Sequence, residues 1–175
     1  NRIGFEHYPL HADIDKYRQP SAVTLRATAI FGGSDPNNLT GKLCQVAKLI
    51  PKLEFDLIKG GLATNAVSIP GNVYVHEEVV STGVFSIASK NAFAIAAFGV
   101  TVYELHRLGV PTIVIATEED HVESFEAFAN NKDFRLLKAS VSVEQLEDVI
   151  REYKERFSNY IRLNEAFSTQ VVWED

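Results

Sequence analysis

Two short runs decide most of what this chain can fold into. Residues 92–97 (Ala-Phe-Ala-Ile-Ala-Ala) and 111–116 (Pro-Thr-Ile-Val-Ile-Ala) are apolar almost throughout, and neither alternates with polar residues. A strand with one wet face alternates, whereas a strand apolar on both faces must be covered on both. Between the two runs, residues 101–108 carry a helical segment that stops at Gly109, where glycine can close the helix in the left-handed conformation. Strand, helix and strand in this order form a parallel βαβ unit.

The rest of the chain repeats the theme. Residues 23–31 predict a strand that stops at Gly32-Gly33, with Thr24, Arg26 and Thr28 alternating in its first half. Leu39, Leu43, Val46 and Ile50 fall at helical spacing, and Pro51 closes that helix. Strands are expected over 54–59, 73–76 and 134–138, and helices over 79–90 and 119–129. Ser142 and Gln145 have capping-box spacing before a last long helix. The expected fold is α/β: a three-layer, doubly wound, mostly parallel sheet of about six strands. Residues 1–20 lack a clean period and read as a linker or arm with one turn of helix near 14–17; the domain proper is expected over 21–175.

Composition narrows the function. A net charge of -6 disfavours a general nucleic-acid or membrane-surface binder, which needs a basic stripe. No apolar stretch approaches the ~18 residues of a bilayer span. A single cysteine, Cys44, rules out an internal disulfide framework and makes a reducing cytoplasm the expected compartment. The chain of 175 residues contains no methionine and begins at Asn1, so a piece of a longer polypeptide is expected.

In open α/β sheets, ligands bind beyond the carboxyl ends of the strands. Three strand ends carry suitable chemistry. At the first, Gly32, Gly33 and Ser34 allow a tight turn and close backbone approach to a phosphate. Equally, Ser34 or Asp35 could be an N-cap with Pro36 at the first helical position. At the second, Gly99, Val100 and Thr101 precede Glu104. Thr101 and Glu104 could form a capping box, the reading that spacing alone favours. Alternatively the turn amides could meet a diphosphate while Glu104 accepts two hydroxyl protons from a ribose diol. At the third, Glu118, Glu119, Asp120 and His121 could contact sugar hydroxyls or simply form a solvated, acidic helix start. Contiguous residues on a helix face different ways, so no metal site is expected here.

Other chemistries find no support. His76-Glu77-Glu78-Val79-Val80 begins like a zinc-protease helix but lacks the second histidine. There is no G-x-S-x-G elbow, no GxGxxG fingerprint and no assemblable catalytic triad. No cofactor is expected.

Four segments taken together resemble the C-terminal half of a GT-B enzyme: Ile30-Phe31-Gly32-Gly33-Ser34-Asp35-Pro36-Asn37-Asn38-Leu39-Thr40, Asn72-Val73-Tyr74-Val75-His76, Ala97-Phe98-Gly99-Val100-Thr101-Val102-Tyr103-Glu104-Leu105 and Leu108-Gly109-Val110-Pro111-Thr112. The pattern is similar to that of the UDP-sugar hydrolase of pseudaminic acid biosynthesis and of spore-coat polysaccharide biosynthesis proteins. More distantly, it resembles the undecaprenyl-linked GlcNAc transferase of peptidoglycan synthesis. It runs from about residue 4 to about residue 139, and residues 4–10 resemble the family's interdomain segment. The resemblance implies a nucleotide-sugar donor, most simply UDP-linked. Gly33 and Ser34 would face its diphosphate or sugar, Gly99 to Thr101 its phosphates, and Glu104 its ribose. Val75 and His76 would border the uracil, and Glu119, Asp120 and His121 would stand where the family has Glu-Asn-Gln at the sugar. Phe98 departs from the family by replacing the first glycine of a pair, with a narrower phosphate turn expected. Asp120 and His121 depart by replacing neutral amides.

The resemblance also implies a partner: an N-terminal domain that supplies acceptor contacts and, in the hydrolase, a catalytic histidine. No catalytic residue is therefore assigned to this chain. The expected function is nucleotide-sugar binding as half of a glycosyltransferase or hydrolase in polysaccharide or nonulosonate biosynthesis. The alternative is a non-catalytic doubly wound domain that has lost the site and serves regulation or assembly. A receiver-like or flavin-binding domain ranks last.

Overall fold

The computed structural model describes residues 10–18, 24–62, 67–128 and 130–168. It contains one six-stranded sheet with every neighbouring pair parallel: β1 (Thr24–Ile30), β2 (Glu54–Ile58), β3 (Val73–His76), β4 (Asn91–Ala97), β5 (Thr112–Ala116) and β6 (Phe134–Lys138), in the spatial order β3-β2-β1-β4-β5-β6. The helices are α1 (Leu39–Leu49), α2 (Ser81–Ala88), α3 (Val100–Leu108), α4 (Asp120–Ser124) and α5 (Val143–Ser168). The doubly wound α/β fold expected from the sequence is the fold observed.

The two apolar runs lie where their composition requires. β5 is buried along its whole length and β4 along all but its last residue, because both faces are covered. On one face α1 and α5 bring Leu39, Leu43, Val46, Leu146 and Ile150 against Phe55, Phe93, Ile95 and Ile113. On the other, α2 and α3 lay Phe85, Val102 and Leu105 against Ala94, Ala96 and Val114. β4 thus presents bulky side chains to one layer and small ones to the other, which lets α3 pack close. Truncating a fully buried Phe93 would cost about 3–5 kcal/mol.

Local signals resolve as follows. Gly109 closes α3 with φ 76°, in the left-handed region expected of it. The Ser142 amide donates to Gln145 Oε1 and the Gln145 amide donates to Ser142 Oγ, both at 3.1 Å, so the capping box forms. The helix expected over 119–129 is interrupted: α4 gives way to a 3-10 turn, Phe125–Phe128, and Ala129 lies outside the described residues. In a 3-10 turn positions i and i+3 eclipse. That stacks Phe125 on Phe128 at 5.6 Å, and Phe128 in turn stacks on Phe134 of β6 at 5.3 Å. β3 and β2 are joined through 59–72 with no helix among the described residues of that connection. Of the expected arm, residues 1–9 and 19–20 lie outside the described residues. Residues 10–18 include a 3-10 turn, Ile14–Tyr17, packed on the domain.

Candidate functional site

The strand order reverses between β1 and β4, since the chain moves outward to β2 and β3 on one side and to β5 and β6 on the other. The loops leaving the carboxyl ends of such a pair diverge and open a crevice. Those loops are Gly32–Ser34 and Phe98–Gly99, two of the three segments singled out above.

The β1 loop is built on close backbone contact. Gly32 has φ 80°, and the Gly33 carbonyl accepts the Leu62 amide at 3.0 Å. This approach is possible only because residue 60 is glycine: a Cβ there would sit 2.3 Å from the Gly32 carbonyl oxygen and 2.5 Å from Gly33 Cα. Nothing in the local sequence marks this role of Gly60, because it depends on which loops the sheet order makes neighbours. The start of α1 departs from both cap assignments. Its N-cap is Asn38, in the left-handed region and without a side-chain cap bond, and Pro36 precedes the helix. Asp35, buried to 3% exposure, reaches in from outside: Oδ1 accepts the Leu39 amide and Oδ2 the Thr40 amide, each at 2.8 Å. Those two amides are therefore satisfied by the chain itself.

The start of α3 is different. The helix begins at Val100, one residue before the expected start, with Gly99 as N-cap and no side-chain cap bond. The Thr101–Glu104 capping box is therefore not formed, because Thr101 lies inside the first turn and cannot reach back as a cap. An uncapped helix start presents amides and a positive dipole end to the crevice. Gly99 is extended (φ 166°), and a Cβ there, as at Gly33, would meet nothing within 4 Å. Neither backbone conformation nor internal packing requires glycine at these two positions. Both face open space at the switch point.

Glu104 lies one turn along α3, half-buried. Burial pushes its carboxyl pKa up. Phe98 packs against His121 (5.0 Å between ring centres), Tyr103 (6.1 Å) and Phe128 (6.4 Å), so its ring belongs to the aromatic cluster beside β5.

Val75 and His76 are separated by strand alternation. Val75 joins Leu57, Val67 and Ile69 around a cavity of about 490 Å³, with Lys59 and Glu77 at its rim. His76 turns to the opposite face, where Nε2 lies 2.8 Å from Asp56 Oδ1. Asp56 Oδ2 accepts from Asn91 Nδ2 at 2.9 Å, and Asn91 also donates to Thr28 Oγ1 at 2.8 Å. Beside them Arg26 donates to Glu54 at 2.6 Å and lies 4.7 Å over the Tyr74 ring. The polar members of β1, β2 and β3 occupy alternate positions, which was the visible signal. Their union into one network required the strand order.

The third segment converges more than helical geometry suggested. One ligand atom from each of Glu118, Asp120 and His121 lies within 4.8 Å of the others, because residues 117–119 form a turn rather than helix. The Thr117 amide donates to His121 Nδ1 at 3.3 Å. Two carboxylates and an imidazole are chemically able to hold a divalent cation. Both acids are solvent-exposed.

No family model and no curated protein matches the chain. Solved structures do. The glycosyltransferase of kitacinnamycin superposes with TM-score 0.60 at 20% identity, over 85% of this chain and 41% of its own. SnogD, a glycosyltransferase from Streptomyces nogalater, gives 0.54 at 22% identity over 82% and 41%. The glycosyltransferase VinC, solved in complex with dTDP, gives 0.57 at 13% identity over 88% and 40%. At these identities the likeness is one of fold. This chain shares the doubly wound α/β fold of a segment of those glycosyltransferases and spans about two fifths of their length.

Proposed function

We propose that this chain is the nucleotide-sugar-binding half of a GT-B glycosyltransferase or nucleotide-sugar hydrolase, acting in the cytoplasm on a UDP-linked sugar in polysaccharide or nonulosonate biosynthesis. The observation that carries the reading is the pair Gly33 and Gly99. Two glycines that the fold does not need flank the switch point, beside a helix start that no side chain caps. The diphosphate lies against the Val100 and Thr101 amides, where the α3 dipole stabilises the charge that builds on it as the glycosidic bond breaks. Glu104 accepts the two ribose hydroxyl protons, His76 borders the base, and Glu119, Asp120 and His121 meet the sugar. The amides and helix end need no basic patch, in keeping with a net charge of -6.

A second domain supplies the acceptor or water. Leu62, Val80 and Val100 support it: large apolar side chains 74%, 70% and 48% exposed, two in loops that follow the carboxyl ends of strands and one at the first position of α3. A covering domain would remove that surface from water. The alternative, a domain that has lost the site, draws support from Asp35, whose carboxylate already fills the start of α1.

Thermal melts with and without UDP, UDP-GlcNAc and CMP-linked sugars separate the two. Ligand at about 100 times its Kd adds ~2.7 kcal/mol. A melt unmoved by all three classes would sink the nucleotide-sugar reading in favour of the alternative.

A further inference from the structure

Residues 10–18 are fastened to the domain at one particular place, the groove between α2 and α3. Ile14 is 4% exposed and shares an apolar cluster with Phe85 of α2 and Leu105 and Leu108 of α3. The Asp15 carboxylate accepts two parallel hydrogen bonds from the Arg107 guanidinium of α3, Nε to Oδ1 and Nη2 to Oδ2, each 2.8 Å. The rings of His11 and Tyr17 meet the Phe85 ring edge-on at 5.8 and 5.9 Å. Inside the segment, the Asp13 amide donates to His11 Nδ1 at 3.2 Å and Lys16 pairs with Asp13 at 2.5 Å.

The helix held in this way is the one whose uncapped start faces the switch point. Arg107 lies three residues beyond Glu104, a spacing that sets two side chains on one helix face.

We propose that residues 10–18 form a clamp on α3 whose seating is coupled to nucleotide binding at the start of that helix, with Ile14 and Asp15 as positioning residues. This rests on the nucleotide-binding reading above. A nine-residue helix offers its ligand amides and a carboxylate one turn apart, and their relative placement depends on how the helix sits on the sheet. The bidentate pair resists rotation of α3, and Ile14 resists its lifting away. Coupling between two binding events is reciprocal, so a clamp that improves nucleotide binding must itself be tightened by nucleotide.

The test uses the whole chain with UDP as the probe. Calorimetry gives the UDP Kd for wild type, Asp15→Ala and the charge-exchanged pair Asp15→Arg with Arg107→Asp. Amide hydrogen exchange follows residues 14–18 with and without UDP. The clamp predicts that UDP slows exchange in 14–18, that Asp15→Ala weakens UDP about fivefold, and that the exchanged pair recovers most of that loss. UDP binding to wild type with exchange in 14–18 unchanged, or equal binding to Asp15→Ala, overturns the clamp alone. Failure of the wild type to bind UDP overturns the UDP-linked reading on which the coupling rests, and the coupling with it.

Discussion

Replacing Gly99 with alanine should raise stability and abolish ligand response in the same sample. Gly99 has φ 166° and ψ -166°, extended backbone open to any residue, and an added Cβ would have no heavy atom within 4 Å. Under those conditions Gly→Ala acts mainly by restricting the unfolded chain and stabilises by about 0.4–1 kcal/mol. For a chain of this size that is an increase in Tm of about 1–4 °C. The same methyl projects into the crevice beside the Val100 and Thr101 amides, where a diphosphate would need close backbone approach. Wild type with UDP at about 100 times its Kd should gain ~2.7 kcal/mol, or about 5–11 °C, and Gly99→Ala should lose most of that gain. Gly60→Ala is the control. Its Cβ would lie within 2.6 Å of three backbone atoms of Gly32 and Gly33, so the loops must part at a cost of about 1–3 kcal/mol. Differential scanning fluorimetry of the three proteins, each with and without UDP, reads all of this. A Gly99→Ala protein that melts below wild type, or one that keeps the full UDP gain, would mean that Gly99 is not kept for close approach of a ligand.

Two further substitutions probe the same crevice. Glu104 has its native pKa raised by burial, so its stabilising contribution is present below the ordinary carboxyl value and lost as pH rises through the raised one. Glu104→Gln should accordingly melt at or above wild type at pH 7, with the advantage vanishing in acid, while UDP affinity falls and loses its decline toward low pH; a variant that melts lower and binds UDP normally contradicts this. Asp35→Ala leaves two helix-start amides without their acceptor in a buried setting and should cost about 1–3 kcal/mol in urea unfolding with the m-value unchanged, whereas a neutral result would show that Asp35 is not the cap of α1.

The fold was legible because burial on two faces leaves a compositional trace. The runs at 92–97 and 111–116 admitted only covered strands, and Gly109 and Ser142–Gln145 marked helix ends through rules that act within a few residues. Site features that depended on three-dimensional neighbours were not legible. Asp35 caps α1 from outside the N-cap position, so a rule written for adjacent residues assigns it wrongly. Gly60 matters only because the β1 loop crosses it. Asp56, Asn91 and His76 come from three strands, one of them on the other side of β1, and no local pattern joins them. Thr101 and Glu104 have ideal capping-box spacing, yet the helix starts one residue too early for the box to form. Spacing states which pairs could meet, and the exact helix start decides whether they do.

The proposed site for a nucleoside diphosphate lies where β1 and β4 diverge. Titrating UDP into isotopically labelled protein and following the backbone amides by NMR tests it residue by residue. Saturable shifts should be largest at Gly33, Ser34, Gly99, Val100 and Thr101, with smaller ones along α3 to Glu104. Shifts confined to the cavity around Val75 and Ile69, or none at saturating UDP, would contradict it.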